Sequence, residues 1–261
     1  MNITYSARSH IGKVRENNED NLYVDGIMLP PNMSERTFSI DGIANAPAIF
    51  AVCDGMGGED DGEIASLLAV QLLAKTDVGI KSVTPKKLVD IVQSYVHDVN
   101  DEIGNQSTSS EKRVGTTLAL VVVLKKGTYC FNVGDSRIYG FSDNDLTQVT
   151  TDHTADGNKL TRCIGIGEAR NVENYRPIKN KSRILICSDG LTDIVSAEDI
   201  KNAMRTHTHP TEAANKLLDM ALTNGGKDNV TLIVMDVRKP KFTLLRAVKK
   251  LVESFAWRNK K

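Results

Sequence analysis

The sequence predicts an α+β protein built from antiparallel sheets joined locally, with helices set apart in pairs. Three observations predict it. Apolar runs of strand length recur along the chain: Ile49–Cys53, Thr116–Leu124, Thr128–Val133, Ser182–Cys187 and Thr231–Val237. Some are joined by links too short for a crossover helix, such as Lys125-Lys126-Gly127. Helical periodicity is confined to stretches that come in pairs, 62–75 with 85–103, and the region from Ser196 with that from Pro210. At 261 residues the chain suits one large α/β domain or two small ones, and 40% apolar residues is normal for a soluble core.

Taken in order, Asn2–Arg8 and Asn21–Asp25 read as strands around the loop RENNED, Arg15–Asp20. Residues 26–48 mix Pro, Ser, Asn and Gly with weak alternation and read as a hairpin or a loose loop. Ile49–Cys53 is a buried strand that stops at Asp54-Gly55, followed by Gly57, Gly58 and the acids Glu59, Asp60 and Asp61. From Gly62 the pattern turns helical, with Ile64, Ala65, Leu67, Leu68, Val70, Leu72 and Leu73 at helical spacing. Thr84-Pro85 is a helix-start signal, and Val89, Val92, Val96 and Val99 carry an apolar stripe to about Ile103. Residues 104–113 are polar and read as mobile. After the strands at 116–124 and 128–133, Arg137–Phe141 and Leu146–Thr150 complete an antiparallel meander. Ser196-x-x-Asp199 is a capping box, and the helix opened by Pro210 buries Ala213, Ala214, Leu217, Leu218 and Ala221.

Formal net charge is zero, so no bulk charge argues for a nucleic-acid partner. The balance hides an asymmetry: residues 239–261 carry eight Lys/Arg and one acid, a net of +7, which leaves −7 for the rest. In that tail Leu244, Leu245, Val248, Leu251, Val252 and Phe255 fall on one helical stripe, with Arg246, Lys249 and Lys250 on or near the opposite side. The tail reads either as a terminal helix packed on the acidic body or as a basic amphipathic helix on an anionic membrane surface or a partner. Cys53, Cys130, Cys163 and Cys187 show no CxxC spacing and read as free thiols in a reducing compartment. No secretory signal opens the chain and no apolar run reaches membrane-spanning length, so a cytoplasmic monomer, peripheral at the membrane if the tail binds there, is expected.

Asp54 stands at the end of a strand beside a glycine loop, an arrangement that can hold a metal ion or a phosphate. Asp-Gly is also a common turn dipeptide and occurs six times here. Four further carboxylate-bearing loops abut strands: RENNED, NVGDSR (132–137), RILICSDGLTD (183–193) and GGKDNV (225–230). The glycine loop lacks the GxxxxGK[ST] lysine of a nucleotide switch, which ranks that reading last.

Together VRENNED, FAVCDGMGGEDDGEIAS, GTTL, NVGDSRIY, LTRCIG, ILICSDGLTD and GGKDNVTLIV resemble the metal-dependent protein serine/threonine phosphatases (PPM) in their small bacterial form, in the family's order from about residue 12 to about residue 237. The resemblance implies a four-layer αββα sandwich, two antiparallel sheets flanked by helices, as a domain over 1–238 with the tail at 239–261 outside it. It implies that Asp54 bridges two metals, that the Gly55 carbonyl binds one, and that Asp189 and Asp228 bind the other. Glu19 and Asp20 act through coordinated waters, Asp135 helps to hold a weaker third metal, Arg15 grips the substrate phosphate, and Asn229 orients the loop around Asp228. Oxygen ligands select Mg²⁺ or Mn²⁺ over zinc, and two such ions roughly 3.5–4 Å apart share a bridging water that attacks the phosphomonoester. The implied substrates are phosphoserine and phosphothreonine proteins phosphorylated by a kinase. The alternative is a non-catalytic phosphoprotein-binding regulatory module on the same fold, which a lost ligand would favour; none is lost.

Plainer roles stand beside several of these. Arg15 also reads as a surface ion-pair residue, Asp135 as a turn cap with Arg137 as its partner, and Glu59, Asp60, Asp61 and Glu63 as a solvated helix start rather than ligands. His153 reads as a structural loop histidine rather than a general acid. Met56 stands where some family members place a histidine that protonates the leaving group. Only a short link, 155–159, occupies the place where many bacterial relatives carry a helical flap, so the cleft should be open there.

Overall fold

The computed structural model describes residues 1–30, 36–57, 61–106, 114–155, 159–166, 172–178 and 183–239. Along the chain run β1 (Asn2–His10), β2 (Asp20–Val24), β3 (Ile27–Met28), β4 (Thr37–Asn45) and β5 (Ala48–Met56). The first helix pair follows, α1 (Asp61–Ser82) and α2 (Pro85–Gln106). Then come β6 (Gly115–Thr116), β7 (Leu118–Leu124), β8 (Gly127–Val133), β9 (Arg137–Ser142), β10 (Asp145–Gln148), β11 (Thr154–Ala155), β12 (Lys159–Leu160), β13 (Glu173–Ile178) and β14 (Arg183–Cys187). The chain closes with α3 (Asp189–Thr192), α4 (Ala197–Thr206), α5 (Pro210–Thr223) and β15 (Val230–Arg238).

The strands form two antiparallel sheets, one ordered β10-β9-β14-β15-β1-β4 and the other β13-β8-β7-β5-β2-β3, with β6 extending the pairing of β5. Side-chain alternation along a strand explains why there are three cores rather than one. On β5, Ala48, Phe50 and Val52 face the other sheet, where they meet Ile3, Ile184 and Ile233. Ile49, Ala51 and Cys53 point the other way, into a core with Ala69, Leu73, Val92 and Val96 of the first helix pair. On β15, Leu232 and Val234 pack against Ile200, Ala214 and Leu217 of α4 and α5. Helices, sheet, sheet and helices therefore stack as the four expected layers. The central strands β5, β7, β14 and β15 are buried on both faces, which is why they read as unbroken apolar runs.

The structure adds to two expectations. Within 26–48 lie β3 and a nine-residue edge strand, β4, paired along its length with β1 from Asn2↔Asn45 to His10↔Thr37. Only Ala44 of β4 is buried, and Ile43 is 76% exposed, so an edge strand carried little periodic signal. Helix α1 runs seven residues beyond the expected 75, held there by buried Ile80 and by Asp77, which accepts from the Tyr23 hydroxyl at 2.6 Å and pairs with Lys81 at 2.9 Å. The capping box holds as expected: Ser196 Oγ accepts from the Asp199 N–H at 3.1 Å. Pro85 and Pro210 open α2 and α5. All four cysteines are buried and free. Glu59 and Asp60, residues 107–113 of the polar stretch, and the tail from 240 lie outside the described residues.

Candidate active site

Each sheet delivers two aspartates to the same end of the sandwich. Asp20 opens β2 and pairs in register with Asp54 near the end of β5. Asp189 opens α3 directly after β14, and Asp228 stands just before β15, the strand next to β14. Asp54 and Asp189 come close enough across the two sheets for each carboxylate to perturb the other. Burial, then the charges of Asp20, Asp189 and Asp135, push Asp54 well above the usual carboxylate range. Burial does the same to Asp20, raised to about 7 against the opposing bond from Ser188, and to Asp189, raised to about 6 with Asp135 and Asp193 adding repulsion. Asp135 is raised too, first by burial and then by Asp152 and Asp193.

Among the described Asp-Gly pairs, two hold their glycine hard against another stretch of backbone. A Cβ on Gly55 would stand 2.0 Å from the Gly62 carbonyl oxygen, and one on Gly190 would stand 1.9 Å from that of Asn229. Only glycine lets the start of α1 close over the end of β5, and the loop before β15 close over α3. Gly55 remains in β5, bridged to Thr116, and its N–H donates to the Glu19 carbonyl at 3.1 Å. The Glu19 carboxylate lies over Gly62 in the first turn of α1, where the helix dipole favours it.

Asn229 does more than orient Asp228. Its Oδ1 accepts from the Glu19 N–H at 2.8 Å, and its Nδ2 donates to the carbonyls of Ile11 and Asn17 at 2.9 and 2.8 Å. One amide thus ties the loop carrying Arg15, Glu19 and Asp20 to the loop carrying Asp228. Arg15, half exposed, donates to Asp228 Oδ2 at 2.8 Å, so its surface ion-pair role is realised in this arrangement. Asp135 has no such partner in Arg137, whose guanidinium makes a forked contact with Asp152 at 2.6–3.1 Å. His153 Nδ1 accepts from the Gly134 N–H at 2.9 Å and its Nε2 lies 3.0 Å from Glu173 Oε1, a structural placement. Burial lowers its pKa. Met56 ends β5. Strands β11 and β12 pair across the short link, whose residues 156–158 lie outside the described ones.

Sequence reading passed over the hydroxyls that hold these acids. Ser188 Oγ donates to Asp20 Oδ2 at 2.8 Å and accepts from the Thr231 N–H, and Thr117 Oγ1 accepts from the Asp54 N–H at 3.0 Å. Ser188 directly precedes Asp189, which was an available signal; Thr117 sits in the GTTL segment with no acid beside it in sequence.

The donors fit a hard divalent cation. All are oxygens, they repel one another, and burial leaves them short of positive charge. Among the described residues no three acid, imidazole or thiol side chains form a closed ligand set. Asp228 is paired with Arg15, and Asp20 with Ser188.

The sequence profile described as protein phosphatase 2C matches residues 38–224. The chain belongs to that family. It is 31% identical over 256 residues to the serine/threonine protein phosphatase PstP of Mycobacterium tuberculosis, covering 90% of this chain and 45% of that one. The chain thus spans about half the length of the mycobacterial relatives it matches. It is 27% identical to the serine/threonine phosphatase stp of Listeria welshimeri, with 88% and 94% covered. A crystal structure of the PstP catalytic domain in complex with two manganese ions superposes with a TM-score of 0.73 at 32% identity, covering 92% of this chain and all of that one. The four-layer sandwich is therefore the architecture of protein phosphatase 2C structures, as expected.

Proposed function

We propose that this member of the protein phosphatase 2C family is a metal-dependent serine/threonine phosphatase that hydrolyses phosphoserine and phosphothreonine in proteins. The observation that carries the reading is the buried, mutually repelling Asp54–Asp189 pair with Asp20 beside it, a site that needs added positive charge. Two Mn²⁺ or Mg²⁺ ions held by Asp54, the Gly55 carbonyl, Asp189 and Asp228, with Glu19 and Asp20 acting through waters and Asp135 on a weaker third, would supply an activated water and neutralise phosphate charge. The chain's own part is positioning. Thr117 pins the backbone beneath Asp54, Ser188 steadies Asp20, and Asn229 sets the spacing of the Arg15 and Asp228 loops. Arg15 has the fork that matches two phosphate oxygens. Met56 carries no proton and His153 is committed to Gly134 and Glu173, so neither protonates the leaving group.

The deciding experiment is hydrolysis of a phosphothreonine peptide with and without Mn²⁺, before and after chelation. Turnover that needs Mn²⁺ and stops on chelation is expected; no turnover in any condition would sink the proposal. In the same assay Arg15→Ala should raise KM by about ten- to a hundredfold, the loss of a charge-assisted hydrogen bond. Its Mn²⁺ affinity by calorimetry should not fall, because Arg15 competes for Asp228 rather than helping to hold metal. A large loss of metal affinity would show that Arg15 is misassigned.

We further propose that residues 1–238 are the phosphatase domain and that 239–261 form a basic amphipathic helix seated on an anionic membrane surface. The +7 charge and the six-residue apolar stripe support this, and each basic residue near such a surface adds about 1 kcal/mol. No helix among the described residues is long and apolar enough to cross a membrane. Full-length protein should sediment with phosphatidylserine liposomes at low salt, and truncation after Lys239 should abolish this while sparing catalysis. A truncated protein that unfolds or loses activity would make the tail part of the core instead.

A further inference from the structure

A cavity of about 150 Å³ opens beside the acidic centre and shares Asp20 with it. Pockets for small ligands run to about 300–1,000 Å³, so this one suits a single side chain rather than a free metabolite. Its lining has two characters. Ile11, Leu29, Ile64 and Leu67 supply apolar surface, from the loop after β1, the chain after β3, and the first turns of α1. Glu16 and Glu63 supply carboxylates, and Asn17 Nδ2 donates to Glu63 Oε2 and so holds that carboxylate in place. Among the described residues no lysine or arginine lines the cavity.

One further group points to what belongs there. Asn21 lines the cavity and is only 7% exposed, yet its buried Oδ1 has no hydrogen-bond donor among the described residues. A buried amide oxygen without a donor is costly. An aliphatic stem ending in a cation with several N–H groups answers all three features: stem on the apolar wall, charge beside Glu16 and Glu63, and a spare donor for Asn21. Arginine meets this description better than lysine, because its planar fork can reach a carboxylate and an amide together.

We propose that this cavity is a specificity subsite that takes an arginine side chain of the phosphorylated substrate, close in sequence to the phosphoresidue. The inference rests on the phosphatase reading above and names the class of substrate: phosphopeptides with an arginine near the phosphoserine or phosphothreonine. Continuity through Asp20 places the arginine within a few residues of the phosphate.

The test is a set of phosphothreonine peptides in which one arginine is moved through the positions on either side of the phosphoresidue, with alanine and glutamate in its place as references. The readout is kcat/KM for each arginine peptide relative to its alanine counterpart in the same enzyme, with Mn²⁺ present. At the preferred position the ratio should be about tenfold, the size expected of a partly exposed cation meeting two carboxylates. In the E16Q/E63Q double variant, shown folded by circular dichroism, the ratio should drop below about threefold, mainly through KM. Because each ratio is internal to one enzyme, a general loss of activity in the variant does not mimic the result. Ratios near one at every position in the wild type, or a full preference retained in the double variant, would overturn the subsite and leave the phosphatase reading standing. No hydrolysis of any phosphopeptide would overturn both.

Discussion

Asp54→Asn is expected to lower kcat/KM on a phosphothreonine peptide by well over a hundredfold while making the metal-free protein more stable. Both effects follow from its position. Asp54 is the carboxylate on which burial and the charges of Asp20, Asp189 and Asp135 all bear. If it bridges two metals, its loss removes a ligand from each, and groups that merely orient ligands are already worth about 10–100-fold. Without metal the same carboxylate is a liability, because buried like charges raise the energy of the folded state. An asparagine keeps the shape and has no charge to bury and no proton to take up on folding. Urea unfolding in the presence of a chelator should show a gain of about 1–3 kcal/mol. Near-wild-type turnover of the variant with Mn²⁺ would refute the bridging role, and a loss of apo stability would refute the electrostatic account.

The second large effect is a stability that falls as pH rises in the absence of metal. Asp20 at about 7, Asp189 at about 6, and Asp54 by burial and its acidic neighbours, are all raised above the ordinary 3.8. A carboxylate with a raised folded-state pKa binds more protons folded than unfolded between its two pKa values. Stability therefore declines with pH from about pH 4, up to about pH 6 on account of Asp189 and up to about pH 7 on account of Asp20. Each such carboxylate contributes a slope of about 1.4 kcal/mol per pH unit. With a chelator present, the protein should be less stable at pH 8 than at pH 5 by on the order of 3 kcal/mol. Mn²⁺ should reverse this, because bound cation replaces the protons, and the gain on adding Mn²⁺ should be larger at pH 8 than at pH 5. Equal stability at both pH values without metal would mean that the acids are better solvated than their burial implies.

These effects depend on contacts of differing legibility. The buried strands were readable because β5, β7, β14 and β15 are covered on both faces and so are apolar throughout. Helices α4 and α5 were readable because their start signals are local: a serine three residues before an aspartate, and a proline at the first turn. Strand β4 was not, because its register is set by hydrogen bonds to β1 and its side chains face water as often as protein. The role of Ser188 was hidden because its partners, Asp20 and Thr231, lie 168 and 43 residues away.

By itself the sequence determined the strand and helix inventory, the set of carboxylate loops and, through the order of its motifs, the family. It could not say which Asp-Gly pairs matter. Asp25-Gly26 is an ordinary turn with positive φ at both residues, and a Cβ on Gly26 would meet nothing. Gly55 and Gly190 look the same in sequence, yet there a Cβ would strike the backbone of Gly62 and of Asn229. Periodicity and capping are written in neighbours three or four residues apart. Close approach, mutually repelling buried acids and the pairing of Arg15 with Asp228, 213 residues away, exist only once two sheets have packed and brought distant loops to one end of the sandwich.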